Sequence, residues 1–418
     1  MTSARAIIGS NWGDEGKGLG VDALAFEMKR DGKQVVVVVR SNGGAQAGHG
    51  VERPDGRRHV FHHIGAGTFA GALTHLSRFF VAHPMVLEDE IKSLKTMGQS
   101  VPLITIDPRA PVTTPWDMAI NQAIEMARSG SRHGSTGLGF GETIERDETG
   151  PRLRAGDLWS NDLEEILATV QKDWVTKRLK ALGLKAENGP LADVLSGRID
   201  LSQRFLKDCA IFRRRVALLD DVDLASRGEV LFEGAQGLQL DMDYGVFPHV
   251  TRSYTGIRNM LSIAQEAGIE EIFPIYMTRA YATRHGAGPL PYEAPGPDGL
   301  GKIDFADIVD LTNAPNEWQG VIRHAPLDAD LLKVTIERDL EHTAGSGVLI
   351  SPSLGVTCLD QLTEEVMVGA RGQLCRMASG AVVDFLSLTT GLPIGLTSNG
   401  PCRENVVLQS PSEGLKVA

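Results

Sequence analysis

Five consecutive valines, Val35–Val39, constrain the fold of this chain more than any other stretch. A strand with one wet face alternates apolar and polar side chains. An unbroken apolar run instead calls for cover on both faces, as in a parallel sheet held between two layers of helices. Short runs of the same kind recur at Ala6–Ile8, Phe79–Ala82, Leu103–Ile106, Val230–Phe232 and Ile272–Tyr276, and each is expected to form a buried strand. Between them, amphipathic spacing predicts helices over Val21–Lys29, Pro115–Arg128, Asp162–Leu182 and Asp328–Arg338. The alternation defines an α/β protein with a mainly parallel central sheet and helices on both faces. No linker or repeat divides the 418 residues, so one domain is expected, with a helix-rich lobe over residues 158–220. Val366–Val368 and Val382–Leu388 read as core, and Gln409–Ala418 as a loosely ordered end.

Charge and cysteine usage narrow the functional classes. Lys and Arg number 42 against 53 Asp and Glu, a net charge of −11, which argues against the broad basic surface of a nucleic-acid binder but leaves room for a local phosphate pocket. No apolar run reaches membrane-spanning length, and MTSARAIIGS lacks the basic and long apolar segments of a secretory signal. Cys209, Cys358, Cys375 and Cys402 are scattered and form no CxxC pair, so a reduced cytoplasmic setting is expected.

The 47 glycines gather in loops that follow the strand candidates, where open α/β sheets bind their ligands. The first loop runs Gly9-Ser10-Asn11-Trp12-Gly13-Asp14-Glu15-Gly16-Lys17-Gly18 and leads into a helix. Strand, glycine loop, lysine and helix together aim backbone amides and a helix N-terminus at phosphates. The loop is P-loop-like without being a standard P-loop, because six residues separate Gly9 from Gly16-Lys17 and Gly18 stands where a magnesium-binding hydroxyl belongs. Asp14 is the available hard oxygen ligand, and among phosphate-binding amides its carboxylate can also take a proton from a substrate. A second loop, Ser41–Gly50, ends Ala47-Gly48-His49, with small residues that let a phosphate or metal approach the imidazole. His59, His62 and His63 have no supporting metal-ligand spacing and read as core or edge residues.

Several ordered motifs together are similar to those of the adenylosuccinate synthetase family: Trp12–Gly18, Ala47–His49, Ser135-Thr136-Gly137, Leu153–Leu158, Phe232–Gly237, Thr283–Pro289 and Ser398–Pro401. The resemblance implies a ligase that joins L-aspartate to C6 of inosine monophosphate at the expense of GTP, through a 6-phosphoryl intermediate, with Mg2+ and as a homodimer. It implies that Asp14 takes the purine N1 proton, that His49 stabilises the transferring phosphoryl group, and that Gln236 bonds the purine edge. Gly13, Glu15, Gly16, Lys17, Gly18 and Gly48 would hold the triphosphate, and Asp14 and the Gly48 carbonyl the metal. Lys17, Gln46, Thr136 and Thr251 would face the acceptor nucleotide, and Asp360, Ser398 and Gly400 the guanine base.

The departures lie on the acceptor and amino-acid side. The family's arginine-rich aspartate loop is represented by Asn316–Asp328, where Arg323 alone remains to clamp a carboxylate. Gly150 falls where the family carries an arginine that crosses the dimer interface to the acceptor nucleotide, with Arg146 or Arg152 as substitutes. Gln46 replaces an asparagine, His285 an aliphatic residue near the ribose, Gly50 a threonine and Cys358 a lysine. Two alternatives follow: a variant using another purine monophosphate such as dGMP, resembling the viral 2-aminoadenylosuccinate synthetases, or a nucleotide-binding regulator that has lost ligation. Those viral enzymes usually lack the catalytic aspartate, and Asp14 is intact here.

Overall fold

The valine run forms an all-buried strand, Val36–Arg40, in a computed structural model that describes residues 2–32, 35–128, 135–184, 190–293 and 322–409. The N-terminal half supplies β1 (Ser3–Gly9), β2 (Val36–Arg40), the hairpin of β3 (His49–Glu52) and β4 (Arg58–Phe61), then β5 (Leu73–Leu76), β6 (Ile104–Ile106), β7 (Val216–Leu218) and β8 (Glu229–Glu233). The C-terminal half adds β9 (Glu271–Arg279), β10 (Ala282–Arg284), β11 (Arg323–Ala325), β12 (Leu327–Asp328), β13 (Leu349–Ile350) and β14 (Ser353–Thr357). It closes with β15 (Glu365–Ala370), β16 (Gln373–Ala378), β17 (Ile394–Ser398) and β18 (Val406–Leu408).

Eleven strands make the central sheet, in the order β18-β17-β14-β9-β1-β8-β2-β5-β6-β7 with β13 beside β9. Every pairing in it is parallel except the edge pair β17 and β18. Successive valines explain the cover on both faces. Val36 and Val38 join Ile7 in one core, while Val37 and Val39 join Ala6 and Ile8 in the other. The α/β expectation therefore holds, with a mostly parallel sheet between two apolar layers.

Local chemistry sets the helices that frame the site. Helix α1 (Lys17–Arg30) starts directly after the first glycine loop, with Gly16 left-handed at its N-cap and Lys29 and Arg30 in its last turn, where cations suit the helix dipole. The helices α2 (Pro84–Thr96) and α3 (Pro115–Ala127) both open on proline, and α3 adds a capping box between Thr114 and Asp117. Helix α4 (Phe140–Thr149) is fastened to α3 by buried Arg146, whose guanidinium bonds Asp117 at 2.9 Å.

Three sequence expectations need correction. Phe79–Ala82 is not a strand: the sheet strand is β5, and Val81 and Ala82 make only isolated bridges to Gly44 and Val112. Polar side chains hid β5, because buried Thr74 accepts from Gly65 N and buried His75 bonds Asp221 and Thr105. The helix expected over Asp162–Leu182 is interrupted by a π-helical turn at Val170–Trp174, between Leu163–Thr169 and Val175–Leu182. Residues 158–220 also hold the helices Pro190–Leu195 and Ser202–Arg215. Val366 and Val368 are buried as expected, whereas Leu388 faces solvent. His59 and His63 are buried beside Glu90, which accepts from the backbone of residues 62 to 64. Asn316–Val321, and the end of the chain after Gln409, lie outside the described residues. No helix among the described residues is long and apolar enough to cross a membrane.

Candidate active site

The C-terminal ends of β1, β2 and β8, adjacent strands at the middle of the sheet, release three loops into one cleft of about 540 Å³. The first glycine loop lines it with Gly13, Asp14, Glu15, Gly16, Lys17 and Gly18. The second contributes Gln46, Gly48 and His49, and the third Gln236. Thr136, just before α4, and Thr251 complete the sequence-predicted residues that line it. Asp14 and His49, from separate turns, thus face a common space.

Two of these residues hold a backbone that glycine adopts more readily. Asp14 has φ 61° and Gln236 φ 66°, both left-handed, a conformation that costs on the order of 1–3 kcal/mol and needs support from its surroundings. Support comes from intimate loop packing. A Cβ on Gly237 would lie 2.3 Å from the Asn11 carbonyl oxygen, so the first and third loops touch backbone to backbone.

The loop lysine lines the cleft and is also tied to its own loop. Glu15 accepts from the amides of Asn11 (3.0 Å) and Gly13 (2.8 Å), and its other oxygen pairs with Lys17 Nζ at 2.5 Å. The Glu15 carboxylate therefore shapes the loop, which leaves its main chain, with that of Gly16 and Gly18, to meet an anion.

His49 is held by a residue to which the sequence reading gave no role. Its Nδ1 bonds the carboxylate of Glu233, at the end of β8, and its buried Nε2 has no hydrogen-bond partner among the described residues. Burial, reinforced by the Arg40 guanidinium, pushes the His49 pKa down to about 4 despite the opposing pull of Glu233. Burial also works against the Glu233 carboxylate, but Arg40 and His49 hold its pKa below the usual range. Arg40 is fully buried, lies 4.0 Å from Glu233, and has no hydrogen-bond partner on any guanidinium nitrogen among the described residues. A charged residue directly after the apolar run Val230–Phe232, at the strand's C-terminal end, was the available sequence signal for Glu233.

Other expected residues stand outside the cleft lining. Asp360 is exposed on the short 3-10 turn Leu359–Gln361 after β14, and buried Ser398 donates to the Gly400 carbonyl at 2.6 Å after β17. These neighbouring strand ends adjoin the glycine loop, since Thr357 Oγ1 donates to the Glu15 carbonyl at 3.2 Å. Arg323 is engaged by Glu293 (2.5 Å) and the Gly288 carbonyl (2.8 Å). Opposite it in register, Arg284 lines the cleft while holding the carbonyls of Ala287 and Pro289.

Neither proposed substitute for the missing arginine lines the cleft of its own chain, and of the two only exposed Arg152 is free to reach across an interface to a second copy. Arg146 is buried against Asp117, and Arg152 is exposed and donates to the Asp147 carbonyl. Gly150 is packed too closely for a side chain, because a Cβ there would meet the Trp174 indole at 2.5 Å. The cleft instead presents Arg128, Arg252 and Arg279. His285 also lines it, with Nε2 3.4 Å from the Asp14 carboxylate.

Comparison with known proteins agrees with this arrangement. A family model described as adenylosuccinate synthetase matches residues 6–310. The adenylosuccinate synthetase of Xanthomonas euvesicatoria pv. vesicatoria is 33% identical over 98% of this chain and 100% of its own length. That of Xylella fastidiosa is 30% identical over 98% and 99%. Among solved structures, fully ligated adenylosuccinate synthetase from Plasmodium falciparum has TM-score 0.71 at 19% identity, covering 97% of this chain and 100% of that one. A cyanophage S-2L succinoaminodeoxyadenylate synthetase, bound to dGMP and dATP, has TM-score 0.59 at 17% identity, covering 98% and 95%. These two structures share the fold. The family match spans most of the sequence and the curated relatives align nearly end to end, so the chain belongs to the adenylosuccinate synthetase family of carbon–nitrogen ligases.

Proposed function

We propose that the protein joins L-aspartate to C6 of inosine monophosphate, using GTP and a 6-phosphoryl intermediate, to give adenylosuccinate, GDP and phosphate. The observation that carries this reading is the convergence of Asp14, the His49–Glu233 pair, Gln236 and the Lys17 loop on one cleft. A binding module needs phosphate contacts only. A carboxylate and a buried imidazole around the same space suit proton transfer and charge stabilisation.

The purine 6-oxo group is a weak nucleophile and a poor leaving group. Asp14 takes the N1 proton, so negative charge develops on O6, which attacks the γ-phosphorus and expels GDP. Gln236 bonds the purine edge and fixes the ring against Asp14. The negative charge of the triphosphate raises the proton affinity of His49 Nε2, and Glu233 steadies the resulting imidazolium, so His49 donates to the transferring phosphoryl oxygens. The amine of aspartate then attacks C6 and gives up one proton, the C6–O6 bond breaks, and phosphate leaves carrying O6 and that bond's electron pair.

Glycine-loop amides and Lys17 hold the donor phosphates at the start of α1, with Lys17 shared between Glu15 and the incoming anion. Gln46, whose buried Nε2 has no partner among the described residues, joins Thr136 and Thr251 around the acceptor monophosphate. Arg323 exchanges Glu293 for a carboxylate of aspartate. Asp360 accepts from N1–H and the 2-amino group of guanine, a pair that adenine lacks, with Ser398 and Gly400 closing over the base.

Asp14 and the Gly48 carbonyl are hard oxygen donors on the same cleft, a set that fits Mg2+. Among the described residues no group of three His, Cys, Asp or Glu side chains is arranged to hold a metal, so the remaining ligands would be substrate phosphates and water. The ion would neutralise charge on the transferring phosphoryl group. The working form is proposed to be a cytoplasmic homodimer.

Product analysis by mass spectrometry, with IMP, dIMP, GMP and dGMP each offered with aspartate and GTP or ATP, tests the reading. Adenylosuccinate from IMP, and phosphate release that needs both IMP and aspartate, are expected. Asp14→Ala and His49→Asn should abolish turnover in folded protein. Turnover retained in either variant, or product from dGMP alone, contradicts the assignment.

A further inference from the structure

A line of hydrogen bonds, buried at its middle and part-buried at both ends, crosses from the turn that carries Asp360 to the backbone of Asp14. Gln361, next to Asp360, accepts through Oε1 from the Tyr281 hydroxyl. Tyr281 in turn accepts from Arg279 Nη1 at 3.0 Å, and Arg279 Nε donates to the Asp14 carbonyl. Tyr281 and Arg279 are both buried, so water does not compete strongly for the bond between them. Burial pushes the Tyr281 pKa upward, which keeps its hydroxyl protonated and able to donate. The planar fork of one guanidinium reaches both neighbours, a geometry that a lysine ammonium does not reproduce.

The two ends of this line are conformationally costly. Asp14 is left-handed at φ 61°, and Cys358, which leads into the Leu359–Gln361 turn, is left-handed at φ 59°. Gripping the Asp14 carbonyl fixes the peptide plane that follows Asp14, and so restrains the left-handed backbone from which the carboxylate projects. We infer that Tyr281 and Arg279 are positioning residues that couple occupancy of the nucleobase turn to the orientation of Asp14. This rests on the proposed roles of Asp14 and Asp360, and it deepens them: the donor base then contributes to the rate of phosphoryl transfer as well as to donor affinity. Thr357 makes a second, shorter link from the end of β14 to the loop, through the Glu15 carbonyl.

The test is steady-state kinetics at saturating aspartate and IMP, with GTP and with inosine triphosphate, which lacks the 2-amino group. Wild type should show a higher kcat with GTP than with inosine triphosphate, in addition to any difference in KM. Tyr281→Phe removes one hydroxyl from the middle of the line. It should lower kcat with GTP by about tenfold, the weight of one hydrogen bond, leave KM for IMP within about twofold, and bring the two donors to similar kcat. Gln361→Leu breaks the same line at a half-buried turn and should reproduce this signature, which covers the case in which the core variant folds poorly. Arg279→Lys should not rescue. A loss of kcat that is equal for both donors, or a wild-type donor difference confined to KM, overturns the coupling. No turnover with any purine monophosphate overturns instead the functional reading on which it stands.

Discussion

Glu233→Gln separates the electrostatic role of the buried carboxylate from its shape. The side chain stays nearly isosteric and can still accept from Ala66 N, a bond of 3.0 Å in the native protein. What is lost is the charge opposite Arg40, 4.0 Å away and fully buried. At that separation a unit pair interacts by about 4 kcal/mol for an effective dielectric constant of about 20. Leaving one partner of a buried pair alone typically costs about 3–5 kcal/mol. The Arg40 guanidinium has no hydrogen-bond partner among the described residues, only the Phe80 ring 5.4 Å away, so the upper part of that range is expected in urea unfolding. Activity should fall further than stability alone would require. A neutral amide beside Nδ1 no longer steadies a cationic His49, which should lower kcat by at least about 10²-fold. The double variant Glu233→Gln, Arg40→Met removes both charges and should recover most of the stability while remaining inactive. An unfolding free energy within about 1 kcal/mol of wild type for the single variant, or recovery of turnover in the double variant, would refute the reasoning.

The remaining predictions concern other parts of the molecule. Fully buried Asp339 accepts from Ile257 N and the Tyr276 hydroxyl, yet burial raises its pKa from 3.8 to about 7. Its stabilising contribution is complete below the unfolded value and is lost as pH rises through the folded one. Asp339→Asn should therefore gain on wild type by about 1.4 kcal/mol per unit between pH 4 and 7, and parallel urea midpoints at pH 5 and 7 would contradict this. Gly237→Ala meets backbone only 2.3 Å away, so kcat/KM should drop by at least about tenfold as the first and third loops separate; unchanged kinetics would show that the loops can move freely. Asp360→Asn should raise KM for GTP by about 10²-fold and that for inosine triphosphate, which keeps N1–H but lacks the 2-amino group, by less, so that the preference between the two donors narrows; initial rates with each donor measure it, and an equal rise for both contradicts the assignment.

The fold was legible where burial and sequence pattern agree. Val36–Val39 and Ala6–Ile8 announce two-sided strands because parallel sheets leave little room for polar side chains. The strand β5 escaped notice since Thr74 and His75 satisfy their polar atoms with partners at positions 65, 105 and 221, which no local window contains. The cleft loops were legible for a similar reason, as phosphate-binding chemistry is local to a few successive residues at Gly13–Gly18 and Gly48-His49. The Glu233–His49–Arg40 cluster joins three strands or loops, and the choice of partner there is a tertiary fact. Arg146 illustrates the limit clearly. Its position beside the Gly150 gap suggested a ligand contact, but only the packed structure reveals that it is spent on Asp117 between α3 and α4.

The left-handed backbone at Asp14 and Gln236 sets the interests of folding and chemistry against each other. Glycine at either position would relax the chain, and selection for heat resistance alone would favour that exchange. A library evolved under that pressure should therefore accumulate robust but inert descendants, with the carboxylate and the amide among the early casualties. Persistence of both residues through such an experiment would mean that neighbouring loops repay the strain more fully than local geometry suggests.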